Sequence, residues 1–121
     1  MKILVTGSEG FVGTNLRVAL RRRADVEVLP FDVVSPSDDL VRHGQTADFV
    51  FHLAGVNRPK DPTEFTTGNV DLTGRLLSVL EAAGRRTPVV FSSSTQAALE
   101  NPYGESKRRA EELLFDYHRR T

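Results

Sequence analysis

The sequence predicts an α/β domain built on a parallel sheet, and three observations point that way. The apolar run Lys2-Ile3-Leu4-Val5-Thr6 stops at Gly7, and Gly10 and Gly13 follow at three-residue intervals before a helical pattern begins. Short apolar runs recur at residues 26–31, 48–55 and 88–91, separated by longer stretches of helical period. Strands alternating with helices in this way read as crossover-connected, parallel strands. The runs also end in Asp32, in Ala54-Gly55 and in Ser92-Ser93-Ser94, which are polar or small residues at strand ends, where open α/β sheets gather their ligand contacts.

The first element is a buried strand over 2–6. The turn after it leaves backbone N–H groups unpaired at the positive end of a helix dipole, which suits a pyrophosphate. Gly7 can take the dihedrals of the turn, Gly10 lets the backbone approach an anion, and Gly13 lets helix and strand pack closely. The spacing is G-x-x-G-x-x-G, which also occurs in plain structural turns; the strand before it and the helix after it favour the nucleotide reading. The helix is expected over 11–22, with Phe11, Val12, Leu16, Ala19 and Leu20 as its apolar stripe and Arg21-Arg22-Arg23 at its C-terminus, where the dipole favours cations.

A second strand over 26–31 delivers Asp32, 19 residues after Gly13. An acid there accepts hydrogen bonds from adenosine ribose hydroxyls in dinucleotide folds, and it would repel the 2′-phosphate of NADP, which favours NAD. The competing reading of Asp32 is a loop aspartate starting a turn before Pro36. A short helix over 37–45 is expected, with Ser37 as N-cap and Leu40 and Val41 facing inward. The third strand, 48–55, runs into small residues against which a flat cofactor can lie, and His52 reads as a packed strand-end histidine rather than a catalyst. After a loop punctuated by Pro59 and Pro62, a long helix from about 62 to 83 carries Leu72, Leu76, Leu77, Val79 and Leu80. Gly84 stops it, and Gly68 and Gly74 read as interruptions that permit close packing. A fourth strand over 88–91 and a helix over 103–118 complete the chain.

Room for one domain, spanning 1–121, is what 121 residues provide. With 39% hydrophobic and 26% charged residues, the composition is ordinary for such a domain. The 16 basic and 16 acidic residues cancel, so nothing points to nucleic acid or an anionic membrane as partner. The absence of cysteine excludes disulfides and thiolate-bound metal, and no metal site is expected. No long apolar segment or signal peptide stands out, so a cytoplasmic protein is expected.

Tyr103-Gly104-Glu105-Ser106-Lys107 is the second informative motif. Tyrosine and lysine at i and i+4 share one helix face. A nearby ammonium favours the phenolate, so the tyrosine can pass a proton to or from a substrate oxygen while hydride moves to or from a nicotinamide. The lysine can also hold the nicotinamide ribose, and a serine hydroxyl at the preceding strand end, Ser94, can steady a developing oxyanion. Y-x-x-x-K alone is common; its position after a glycine turn, a strand-end acid and a serine run makes the set more specific.

Taken together, Thr6 through Gly13, Asp32, His52-Leu53-Ala54-Gly55, Asn69-Val70, Ser92-Ser93-Ser94 and Asn101 through Lys107 resemble the extended short-chain dehydrogenase/reductases, the NAD-dependent epimerase/dehydratase group. His52 through Pro59, Gly68-Asn69-Val70 and the segment from Ser92 to Gly104 look like the bacterial capsular-polysaccharide reductases that act on UDP-2-acetamido-2,6-dideoxy-hexos-4-uloses. The resemblance implies a Rossmann-like sheet and reduction or oxidation at C4 of a UDP-(amino)deoxy-hexose by Ser94, Tyr103 and Lys107. It implies that Gly7, Gly10, Phe11, Val12, Gly13, Asp32, Leu53, Ala54, Gly55, Asn69, Ser92, Tyr103 and Lys107 surround the dinucleotide; Asp32 favours NAD(H), and the resemblance makes NADP(H) possible. It also implies that Asn57 and Arg58 reach the sugar nucleotide.

Only 19 residues lie between Asp32 and His52, too few for the additional strand most of that superfamily fits there. Four parallel strands in the order 2-1-3-4 are therefore expected, as the N-terminal portion of a longer family fold without its substrate lobe. Dinucleotide binding is expected of such a chain; efficient turnover by these residues alone is not. Strand 88–91 would stand as a bare edge, so a homodimer or association through it is expected. The alternative is a non-catalytic NAD(P)-binding module, or a fragment that dimerises through that edge.

Overall fold

A computed structural model of the chain describes residues 1–32, 35–53, 70–91 and 102–120. Four strands, β1 (Lys2–Thr6), β2 (Glu27–Phe31), β3 (Phe49–His52) and β4 (Val89–Phe91), form one parallel sheet in the order β2-β1-β3-β4, as expected. Among the described residues four helices, α1 (Phe11–Arg21), α2 (Ser37–Thr46), α3 (Leu72–Ala83) and α4 (Pro102–Arg120), alternate with them. The chain moves one way across the sheet through α1 and the other way through α2 and α3, so right-handed crossovers put α1 on one face and α2 and α3 on the opposite one. Within that second layer α2 packs on α3, and α3 on α4.

Both faces of β1 are covered, which is why its sequence is an unbroken apolar run rather than an alternating one. Leu4 is fully buried in the larger core with Leu29, Phe31, Leu40, Val50, Leu76, Leu77, Leu80 and Tyr117. Ile3 and Val5, of opposite parity on the strand, are buried outside that cluster. Two ties outside the ladder fix the edges of the layer. Asp48 accepts the Lys2 N–H at 2.7 Å and pairs with Arg85, joining the start of β1 to the start of β3. Tyr117 donates its hydroxyl to the Thr87 carbonyl at 2.7 Å, holding α4 to the entry of β4.

Several expectations change in detail. Pro36, not Ser37, occupies the N-cap of α2: its backbone is at φ −57° and ψ 141°, and Ser37 is already helical. The ring of proline fixes φ near that value, while its carbonyl still accepts the first helical N–H, from Asp39 at 3.0 Å. Leu40 is buried as expected, but Val41 is exposed, one helical step off the packed stripe. On α1, Val12 and Ala19 are exposed; the inward positions are Gly13, Leu16, Arg17 and Leu20, spaced i, i+3, i+4, i+7. Arginine thus takes a place in the stripe that an apolar reading gave to its neighbours.

The close helix contact is also not where the glycines of α3 suggested. A Cβ on Gly74 would lie 4.0 Å from Leu113 Cδ1, an ordinary contact, whereas one on Gly44 of α2 would fall 2.5 Å from Val79 Cγ1. Gly44 is what lets α2 and α3 approach. Gly84 ends α3 in the left-handed conformation, φ 68°, as expected. The stretch 62–71 of the expected long helix is described only from Val70 onward; Gly68 lies outside the described residues.

Candidate functional site

Because all four strands are parallel and in register, their carboxyl ends meet at one edge of the sheet. Phe31, Thr6, His52 and Phe91 pair across it as a single row. The glycine turn, Asp32 and Leu53 follow directly from that row, so three segments far apart in sequence arrive at one place.

The turn is built by backbone geometry. Gly7 has φ 68°, a conformation that side chains with a Cβ rarely adopt. Its carbonyl accepts the Gly10 N–H at 3.0 Å. A Cβ on Gly13 would fall 2.1 Å from the Gly7 oxygen, and one on Gly10 would lie 3.3 Å from the same atom. Gly10 is the N-cap of α1, no side chain caps that end, and the first turn carries no acid. The N–H groups of the first helical turn, at Phe11, Val12 and Gly13, have no intrahelical acceptor. Gly13 lets the helix start pack directly on the Gly7 carbonyl, and donors left unfilled at an uncapped helix N-terminus fit a pyrophosphate.

Asp32 sits against the turn. Its Oδ2 accepts the Glu9 N–H at 2.7 Å, and the neighbouring Ser8 N–H reaches the Phe31 carbonyl at 3.2 Å. The backbone N–H of Asp32 also donates to Ser35 Oγ at 3.0 Å, and its carbonyl accepts the Ser35 N–H at 2.9 Å. Asp32 therefore opens a turn to Ser35 and stands beside the glycine turn. Glu9, 62% exposed at its side chain, is met by Arg17 of α1, Nη2 to Oε1 at 3.4 Å. The Arg17 side chain is only 14% exposed, and its Nε is buried with no hydrogen-bond partner.

His52 is fully buried beneath the row. Its Nδ1 lies 2.6 Å from Thr6 Oγ1 and its Nε2 2.8 Å from Thr73 Oγ1, and its ring stacks on Phe91 with centroids 5.6 Å apart. It is the packed histidine the sequence suggested. Leu53 is half-buried, and its N–H reaches the Thr6 carbonyl at 3.3 Å.

The remaining candidates divide in two. Tyr103 and Lys107 belong to the first turns of α4. Ala54, Gly55, Asn57, Arg58, Asn69, Ser92 and Ser94 lie outside the described residues. Sequence reasoning missed Glu9, Arg17 and Thr73. The signals were an arginine on the inward stripe of α1 and a threonine on the apolar stripe of α3, each a polar group placed where only a partner makes burial tolerable.

Comparison with known proteins agrees with this fold. The family model described as "NAD dependent epimerase/dehydratase family" matches residues 3–121. Among curated proteins, the UDP-2-acetamido-2,6-beta-L-arabino-hexul-4-ose reductase of Pseudomonas aeruginosa is 49% identical over 114 residues, 94% of this chain and 31% of the relative. Among solved structures, the capsular polysaccharide assembling protein CapF from Staphylococcus aureus matches with a TM-score of 0.84 and 39% identity, over 99% of this chain and 32% of that one. A short-chain dehydrogenase/reductase superfamily protein from Agrobacterium tumefaciens, solved with bound NAD, matches with a TM-score of 0.83 and 29% identity, over all of this chain and 46% of that one. The chain thus spans about a third of the length of the two relatives to which it is most alike among these.

Proposed function

The chain belongs to the NAD dependent epimerase/dehydratase family, and from that membership we propose that residues 1–121 are the dinucleotide-binding and catalytic portion of a sugar-nucleotide oxidoreductase. The observation that carries the proposal is the glycine cradle: a Cβ at Gly13 would meet the Gly7 carbonyl at 2.1 Å, and the N-terminus of α1 above it has no side-chain cap. The substrate class is a UDP-(amino)deoxy-hexose reacting at C4, supported by the 49% identity to a reductase of a UDP-linked hexulose.

In this reading Gly7, Gly10 and the N–H groups of Phe11, Val12 and Gly13 hold the pyrophosphate, and Asp32 holds the adenosine ribose. Leu53, Ala54, Gly55, Asn69 and Ser92 line the rest of the dinucleotide, and Asn57 and Arg58 reach the sugar nucleotide. NAD(H), when bound, supplies or accepts the hydride. Tyr103 passes the proton to or from the C4 oxygen, Lys107 lowers the phenol's proton affinity and holds a ribose hydroxyl, and Ser94 donates a hydrogen bond to the oxygen as charge develops on it. NAD is the preferred coenzyme, since a carboxylate at Asp32 opposes a 2′-phosphate. The setting is cytoplasmic; among the described residues no helix is long and apolar enough to cross a membrane.

Titration calorimetry with NADH tests the cradle, and loss of NADH absorbance with a UDP-4-keto-6-deoxy sugar tests the chemistry. Tyr103→Phe is expected to lower any measured reduction by roughly 100-fold or more. Reduction that survived this change at full rate would remove Tyr103 from the mechanism.

A second reading concerns assembly. Among the described residues β4 is an edge of the sheet, and Val90 on it is exposed. Val89 and Phe91, of opposite parity to Val90 on the strand, line a groove of about 580 Å³ together with Thr87, Leu114 and the exposed Phe115 of α4. An open apolar edge of this kind favours pairing with a second copy through residues 88–91.

A further inference from the structure

The face of the sheet that carries α1 is only partly covered. Ile3 and Val5 lie on it, and the register sets Phe49 beside Ile3, Phe51 beside Val5, and Val90 beside Phe51. Residues directly opposite in a sheet share a face, so these five side chains make one apolar surface. Ile3 and Val5 are buried, Phe49 and Phe51 are half-buried with ring centroids 5.1 Å apart, and Val90 is exposed. Exposure thus rises from β1 through β3 to β4. α1 packs on β1 and β2, and among the described residues no helix lies over β3 and β4 on this side.

α1 turns an apolar flank toward the open part. Its Thr14 hydroxyl donates to the Ser8 carbonyl at 3.5 Å, and its Arg17 meets Glu9. Ser8 and Glu9 are in turn held to Phe31 and Asp32 at the end of β2, so that flank of α1 faces β2. At about 3.6 residues per turn, Val12 and Ala19 fall on the opposite flank, toward β3, with Leu16 between them and the sheet. Val12 and Ala19 are exposed. Val18 is exposed too, but points outward, away from β3. The result is a trough floored by Phe49, Phe51 and Val90 and walled by Val12, Leu16 and Ala19.

We propose that this trough docks an amphipathic helix from the part of a family-length protein outside the segment matched here, and that residues 1–121 take that helix up from a separate polypeptide. Parallel sheets bury both faces beneath helices, and here one face is finished over only two strands. The trough runs alongside a helix and is floored by large apolar side chains, so a second helix with its apolar stripe facing down fills it. A pairing strand would occupy the β4 edge and leave this face open. A second copy of the chain has no such helix to spare, since α2, α3 and α4 bury their apolar stripes in its own core. The reductase from Pseudomonas aeruginosa and CapF are matched over 31% and 32% of their lengths, so most of a family-length protein remains as the source.

The probe is the remainder of the Pseudomonas aeruginosa reductase, the part outside its match to this chain, made as a separate polypeptide in the same cells as the tagged 121-residue chain. The two should purify together, and light scattering should give the mass of one of each. Ala19→Glu places a carboxylate on the wall of the trough and should raise the dissociation constant, read from a dilution series, about tenfold or more. Val18→Glu adds the same charge one residue away on the outer side and should change it less than about twofold. Thermal melts establish that both variants fold. Equal effects from the two substitutions, no effect from Ala19→Glu, or no complex with the native chain would each overturn the proposal. A native chain that dimerises alone and is split by Ala19→Glu would assign the trough to a second copy and overturn it as well. NADH binding enters none of these outcomes, so the coenzyme reading stands or falls separately.

Discussion

His52 Nε2 and Thr73 Oγ1 lie 2.8 Å apart, both fully buried, and join the end of β3 to the first turn of α3. The other ring nitrogen is engaged by Thr6, the last residue of β1. One imidazole thus ties two strands and a helix at the row from which the candidate site begins. His52→Leu keeps the volume but removes both bonds, and is expected to destabilise the fold by about 2–4 kcal/mol. A urea titration reads this as a lower midpoint at an unchanged slope. A loss below about 0.5 kcal/mol would mean that the two hydrogen bonds contribute little to stability.

The two glycines of the cradle should respond unequally. At Gly13 an added methyl meets backbone at 2.1 Å, and neither partner can move without shifting α1; at Gly10 the approach is 3.3 Å, which a few tenths of an ångström relieve. Gly13→Ala is therefore expected to cost about 1–3 kcal/mol and to abolish NADH binding, with a smaller effect on both from Gly10→Ala. Equal effects at the two positions, by calorimetry and thermal melting, would contradict the geometry.

Acid sensitivity should trace in part to Asp48. The Lys2 backbone N–H, and then the Arg85 guanidinium, hold its carboxyl below the usual value. Its folded pKa is thus lower than its unfolded one of about 3.9, so its contribution is present above that value and is lost as the pH falls through the folded one. Asp48→Asn should flatten the decline of stability below about pH 4 relative to the native chain. Denaturant midpoints measured across that window decide it; parallel declines in the two proteins would remove Asp48 from the account.

Association through β4 predicts a mass of two chains in light scattering at micromolar concentration. Val90→Lys places a charge on the exposed position of that edge and should shift the mass toward one chain. A single-chain mass for the native protein across that range would rule the association out.

Much of the fold was legible because it is written locally. The four apolar runs, the glycine turn and Gly84 each report their own conformation, and parallel order followed from the resemblance together with the short spacing between Asp32 and His52. What escaped was interaction between segments. Arg17 has no place in the apolar stripe Phe11, Val12, Leu16, Ala19 and Leu20, and its partner Glu9 sits eight positions earlier in a turn. Which glycine is crowded, Gly44 rather than Gly74, depends on Val79 of another helix. Residue preference favours Ser37 as N-cap, but the ring of Pro36 already sets the entry angle. Of the candidate site, the sequence shows the glycine turn and Asp32, which the structure places side by side, and much less of the supports: His52 reads as packed and is so, but its tie to Thr73 has no signature in spacing.

The strand order carries a consequence for how the molecule comes into being. In β2-β1-β3-β4 each strand after the first is laid against an edge already standing, and none must be threaded between two others. A chain emerging from the ribosome N-terminus first can therefore extend its sheet outward in the order of synthesis. The glycine turn and the Glu9–Asp32 link are specified by the first 32 residues, so the parts proposed for the adenosine end exist before the helix bearing Tyr103 and Lys107 has been made.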